Sequence, residues 1–219
     1  MKLNFAQGPL VVGTLSTLDG NFPLAGDVIE VRLDKMTRPA DWLKRCQAIQ
    51  TGGKPVLLTI RLRIEGGDWP EDDQARLRLY EEALPVVSAV DIELGSVIRE
   101  AVAKRAQKLG KACVISHHDF VKTPPLHELE SIIDQAQQNG GIAKVATMIH
   151  GEADVETLRA LLARKWKNPI CVIGMGETWK ATRVSFPKLG SCLTYGYLDQ
   201  PTAPGQWSAA ELVTQLRGG

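Results

Sequence analysis

The chain has 219 residues, and its 26 basic and 25 acidic side chains leave a formal charge of +1. That near-cancellation gives no electrostatic footprint for a nucleic acid or a membrane surface, while a small anionic substrate can still meet a locally basic site. Apolar residues make up 44% of the sequence, enough for a sizeable core, and no segment approaches the ~18 apolar residues of a membrane-spanning helix.

In chain order, the first strand-like run is GPLVVGTL at residues 8–15. The N-terminal stretch MKLNFAQGPLVVGTL has one lysine and then an interrupted apolar run, and removing it as a secretory leader would take the first strand away. DVIEVRLD (27–34) follows after STLDGNFPLAG, a gap too short for a full helix. Then come PVLLTIRL (55–62), SAVDIEL (88–94), ACVISHHD (112–119), GIAKVATM (141–148), PICVIGMG (169–176) and SCLTYGYL (191–198). All are rich in Val, Ile and Leu and bounded by Gly, Pro or Asp, as strands of a buried parallel sheet are. Amphipathic stretches separate them: PADWLKRCQAIQTGG, EDDQARLRLYEEAL, SVIREAVAKRAQKLG, PPLHELESIIDQAQQNGG and EADVETLRALLARKW. The third opens on a serine cap and stops at a glycine. SAAELVTQL forms a last helix. Eight strands with intervening helices in this length predict an α/β fold, a closed (β/α)8 TIM barrel forming a single domain over residues 1–219. An open doubly wound sheet is the alternative; it lacks a G-x-G-x-x-G after the first strand and would be unusually long. No linker or low-complexity tract divides the chain.

A barrel places its site at the C-terminal strand ends. Along the second strand Glu30, Arg32 and Asp34 alternate, so period two puts them on one face. Arg61 and Arg63 share a face after the third strand, and Asp91 and Glu93 share one on the fourth. His117 and His118 end the fifth strand on opposite faces, so one of them points inward. Lys144 stands alone in the apolar run of the sixth strand. It can snorkel or pair with a carboxylate; desolvated, it is a nucleophile towards a carbonyl. Cys46, Cys113, Cys171 and Cys192 are widely spaced and read as reduced core residues of a cytosolic protein. No His, Asp or Glu triple has metal-ligand spacing, and there is no G-x-S-x-G elbow or Walker-type loop. Lysine and histidine without a metal point to imine chemistry on a ketone or aldehyde, and the arginines to a substrate carboxylate or phosphate. Three other readings fit the same residues: an aldolase-like class I Schiff-base barrel, a metal-dependent barrel isomerase, and a binding barrel without catalysis.

The pieces DVIEVRLD, LLTIRLRIEGG, VDIEL, ISHHDF, IAKVATM, GSCLTYG and APGQ, in that order, resemble the type I 3-dehydroquinate dehydratases, the Schiff-base dehydroquinases of the shikimate pathway. The resemblance implies syn elimination of water from 3-dehydroquinate to give 3-dehydroshikimate. Carried over position by position, it makes Lys144 the imine-forming residue, His118 the acid–base group and Glu93 the carboxylate that orients His118. Glu30, Arg32 and Arg61 fall on substrate-contacting positions, Arg183 on the arginine that pairs with the substrate carboxylate, and Thr202 and Gln206 on the ends of a lid motif, here TAPGQ. Thr14 stands loosely where the first strand carries a serine. The same resemblance implies a cytoplasmic homodimer with a small-molecule substrate, no cofactor, no metal, and neither nucleic acid nor membrane as partner.

Overall fold

The computed structural model describes residues 1–20, 23–70, 72–138, 140–201 and 206–218. Eight parallel strands are β1 Leu10–Leu15, β2 Val28–Arg32, β3 Val56–Thr59, β4 Ala89–Glu93, β5 Ala112–Asp119, β6 Ile142–Met148, β7 Ile170–Met175 and β8 Leu193–Tyr197. They pair in chain order from β1 to β7, and β8 returns to pair with β1. The result is a nearly closed TIM barrel whose seam lies between β7 and β8. The seam is bridged by the Cys192 N–H donating to Ile170 O at 2.8 Å and by the Val172 N–H donating to Ser191 Oγ at 2.9 Å.

Seven α-helices are described: α1 Trp42–Thr51, α2 Asp73–Ala83, α3 Arg99–Lys108, α4 Leu126–Gln137, α5 Glu152–Leu162, α6 Thr182–Lys188 and α7 Ala209–Arg217. As expected, no helix is described between β1 and β2. Helix α6 was not expected from the sequence; it is seven residues long and contains Pro187. The expected serine cap of α3 is also revised. The helix begins at Arg99 with Ile98 as its cap, and the Ser96 hydroxyl accepts from both Arg76 and the Ile98 N–H, the latter at 3.3 Å. By contrast, Ser208 and Glu211 form a full capping box at the start of α7, the arrangement that satisfies two otherwise orphaned N–H groups.

Strand period two sorts the core into two layers. Val12, Val28, Leu57, Ala89, Val114, Ile142, Ala146, Cys171, Leu193 and Tyr195 pack in the lumen. Val31, Leu58, Ile60, Val90, Ile92, Ile115, Ala143, Val145 and Val172 face the helix layer. The polar residues in phase with the first set must therefore point into the barrel. All four cysteines are free and buried. Among the described residues no helix is long and apolar enough to cross a membrane.

Candidate active site

On β6, Lys144 sits between Ile142 and Ala146 on the lumen face and is only 5% exposed. Its Nζ donates to Asp91 Oδ2 at 2.9 Å and lies 4.4 Å from the centre of the Tyr195 ring. The amine is thus paired with a carboxylate, which it shares with Arg61. Asp91 is wholly buried and also accepts from Arg61 Nη2 at 2.7 Å and Ser116 Oγ at 2.6 Å. Burial alone would raise its pKa; Arg61 and Lys144 overcome this and hold it well below the usual carboxylate range.

On β5, His118 is in phase with Val114 and Ser116, and so faces the lumen. His117, in phase with Ile115 of the helix layer, does not line the cavity. Ser116 pairs with Lys144 across the strands and His118 with Ala146, so His118 stands two residues, roughly 6–7 Å, nearer the mouth.

The carboxylate beside His118 is Glu65, whose Oε2 lies 2.8 Å from Nδ1. This corrects the expectation for Glu93. Glu93 Oε1 accepts the Leu62 N–H at 2.9 Å and Oε2 accepts Arg76 Nη1 at 2.7 Å, with Arg61 Nη1 3.3 Å away. Its oxygens are taken before they reach the imidazole. Glu65 closes a short 3-10 turn, Arg63–Glu65, just beyond β3, ahead of Gly66 at φ 80°. The signal was present in the quoted RLRIEGG: an acidic residue four after Arg61, before two glycines. Burial, opposed by Arg61, raises Glu65 to about 7. Burial, reinforced by Arg61 and Lys144, holds His118 well below its ordinary value.

The remaining expected residues converge on the same cavity. Glu30 is held by two hydroxyls, Thr14 Oγ1 at 2.8 Å and Thr59 Oγ1 at 2.7 Å. Arg32 grips Asp34 through Nε and Nη2 at 2.9 and 2.7 Å. Arg183, from α6, donates to Tyr195 O at 3.4 Å and among the described residues has no carboxylate partner. Burial lowers its guanidinium to about 10, so it remains a cation at neutral pH. Glu30, Arg32, Arg61, Lys144, Arg183 and Gln206 all line the cavity, with Thr14, Glu65, His118, Phe120 and Tyr195. Arg63 is exposed outside it. Thr202 lies outside the described residues. The cavity these side chains line has a volume of about 110 Å³ and opens to the barrel mouth. Among the described residues no three His, Cys, Asp or Glu side chains are grouped to hold a metal ion.

The arrangement offers a buried amine, an imidazole with one nitrogen already engaged, and a half-buried cation that has no carboxylate partner among the described residues. The family model described as type I 3-dehydroquinase matches residues 9–218. The 3-dehydroquinate dehydratase of Methanocella arvoryzae is 33% identical over 213 residues, covering 95% of this chain and 96% of that one. The Methanosarcina barkeri enzyme of the same name is 36% identical over 204 residues, covering 86% and 84%. Among solved structures, the 3-dehydroquinate dehydratase of Geobacillus kaustophilus superposes with a TM-score of 0.81 at 27% identity, covering 96% of this chain and 90% of that one. The type I enzyme of Clostridium difficile with covalent modified comenic acid gives 0.83 at 26% identity, covering 96% and 92%.

Proposed function

This chain belongs to the type I 3-dehydroquinase family and is a hydro-lyase; we propose that it removes water from 3-dehydroquinate through an imine on Lys144. The supporting observation is the lumen lysine Lys144 with His118 one pleat nearer the mouth, its Nδ1 engaged by Glu65. Nε2 is then the nitrogen available to substrate.

In this reading Arg183 pairs with the substrate carboxylate, since among the described residues it has no carboxylate of its own. Arg32, Glu30 and Gln206 meet the substrate hydroxyls, and Arg61 acts mainly by fixing Asp91. One proton leaves Nζ and the free amine attacks the C3 ketone; that proton ends on the departing oxygen, and loss of water gives an iminium. The positive charge returns to the same nitrogen, opposite Asp91, so the site holds one charge pattern before and after. The iminium is an electron sink that acidifies C2. Neutral His118 takes that proton, leaving an enamine. The enamine expels the C1 hydroxyl, which leaves as water with the proton from His118. Glu65 orients the ring and stabilises its imidazolium, as the third member of a triad does. Hydrolysis of the new imine releases 3-dehydroshikimate and the free amine. A homodimer and a place in shikimate synthesis belong to the same reading, and sedimentation measures the former.

Borohydride added with 3-dehydroquinate tests the chemistry. The expected result is inactivation with a substrate-derived mass on the peptide carrying Lys144. A mass on another lysine, or activity that survives the treatment, rejects the imine.

A further inference from the structure

Glu93 lies deep in the barrel wall, 1% exposed, and is bonded on both oxygens. One oxygen accepts the N–H of Leu62, the last residue before the turn Arg63–Glu65. That turn folds around Leu62: the Glu65 and Gly67 N–H groups both donate to Leu62 O, each at 3.0 Å. The other oxygen of Glu93 accepts from Arg76, which reaches in from α2, is 0% exposed, and also donates to Ile60 O at 3.2 Å and to the Ser96 hydroxyl. Strand β3, strand β4 and helix α2 are thus tied at one buried point three residues from Glu65.

We propose that Glu93 and Arg76 are positioning residues, which fix the Leu62 N–H and through it the turn that presents Glu65 to His118. The proposal rests on the reading of His118 and Glu65 as the acid–base pair. Glu65 lies in a turn outside the strand ladder, closed by the Arg63–Trp69 and Trp69–Arg61 backbone bonds, and the Glu93 bond is what ties that turn to β4. A buried N–H left without its acceptor must find another, and the turn shifts to provide it.

The test is a double-mutant cycle. Replacing the buried pair together, Glu93→Leu with Arg76→Leu, substitutes apolar side chains for both charges, an exchange that folds commonly tolerate. In the otherwise wild-type enzyme, turnover should fall about ten-fold or more with KM within about two-fold, because Arg183 and Arg32 are untouched and Arg61, which loses Glu93, keeps its bonds to Asp91 and Ser116. In a Glu65→Gln background the same pair should cost less than about two-fold, since the residue it positions is already disabled. Glu93→Gln, which keeps an oxygen for the Leu62 N–H, should recover most of the turnover. If the paired leucines do not fold, Arg76→Lys takes their place in the cycle, with a smaller loss expected and the same non-additivity. Losses that multiply across the cycle, an unchanged turnover in the wild-type background, or a glutamine variant no better than leucine would each overturn the proposal. If Glu65→Gln alone costs nothing, the acid–base pair itself is wrong and the proposal falls with it; multiplying losses with an impaired Glu65→Gln reject the positioning alone.

Discussion

His118 and His117 are neighbours in sequence and opposites in environment. His118 is 2.8 Å from Glu65 in the cavity, and His117 follows the phase of the helix layer. His118→Ala should lower turnover by about two or more orders of magnitude while borohydride still traps the imine; His117→Ala should stay within a few-fold. The reverse pattern in steady-state assays would show that the other ring faces the substrate. Burial, with Arg61 and Lys144, holds His118 well below its ordinary value of 6.5. The neutral imidazole, the form that accepts a proton, therefore persists to lower pH than in a free histidine. The acid limb of kcat/KM should lie below about 6.5, its apparent value belonging to the His118–Glu65 pair. A limb at or above that pH contradicts the assignment. Glu65 moves the other way, from 4.5 up to about 7. Its tighter hold on a proton in the fold stabilises the protein below about 4.5, and the contribution is lost as pH rises through about 7. Glu65→Gln removes that titration. Its urea midpoint relative to wild type should therefore climb between about pH 5 and pH 7, and a flat difference would show that Glu65 does not titrate there.

At the scale of elements, strand phase carried most of the site. Each of Glu30, His118 and Lys144 lies in phase with an apolar lumen residue of its own strand, Val28, Val114 or Ile142, and Arg61, two residues past β3, continues the phase of Leu57. All eight strands were legible for the same reason. The resemblance alone assigns Glu93 to His118, and nothing in strand phase points to Glu65. Glu65 sits past β3 in a 3-10 turn, where period two no longer applies and only tertiary bonds decide. Helix α6 escaped because it is short and holds a proline; burial of Phe186 supports it where propensity does not. The two glycines after Glu65 show how tight that turn is. A Cβ on Gly67 would lie 2.0 Å from Arg61 O, a backbone atom that cannot swing aside. Gly67→Ala should cost about 1–3 kcal/mol of stability by overpacking and lower turnover by displacing Glu65. Gly95→Ala, where the added Cβ meets nothing within 4 Å, should change stability by less than about 0.5 kcal/mol. Thermal midpoints and turnover of the two variants separate a defined turn from a tolerant one.

For the molecule as a whole, the barrel must close although β7 and β8 share no ladder. Both flanking strands serve the cavity, β7 through Ile173 and Met175 and β8 through Tyr195, so a gap there would let water in beside Lys144. A side chain does the work of the missing backbone pairs. Ser191 is 1% exposed, and its Oγ accepts the Val172 N–H at 2.9 Å and lies 3.1 Å from Leu193 O, to which it can donate. One hydroxyl thus binds the first part of β7 to the entry of β8, one residue from the Cys192–Ile170 backbone bond. Ser191→Ala keeps the packing nearly intact but leaves the buried Val172 N–H without an acceptor. That loss is worth about 1–3 kcal/mol, or a fall of very roughly 2–12 °C in the melting midpoint for a protein of this size. Amide exchange should speed up at Val172 more than at amides inside the unbroken β4–β5 ladder, because opening would begin at the seam. Turnover at a temperature well below the midpoint should change little, since Ser191 touches none of the cavity residues. Equal acceleration at Val172 and along β4–β5 would mean that the barrel opens as one unit and the seam is no weaker than the rest.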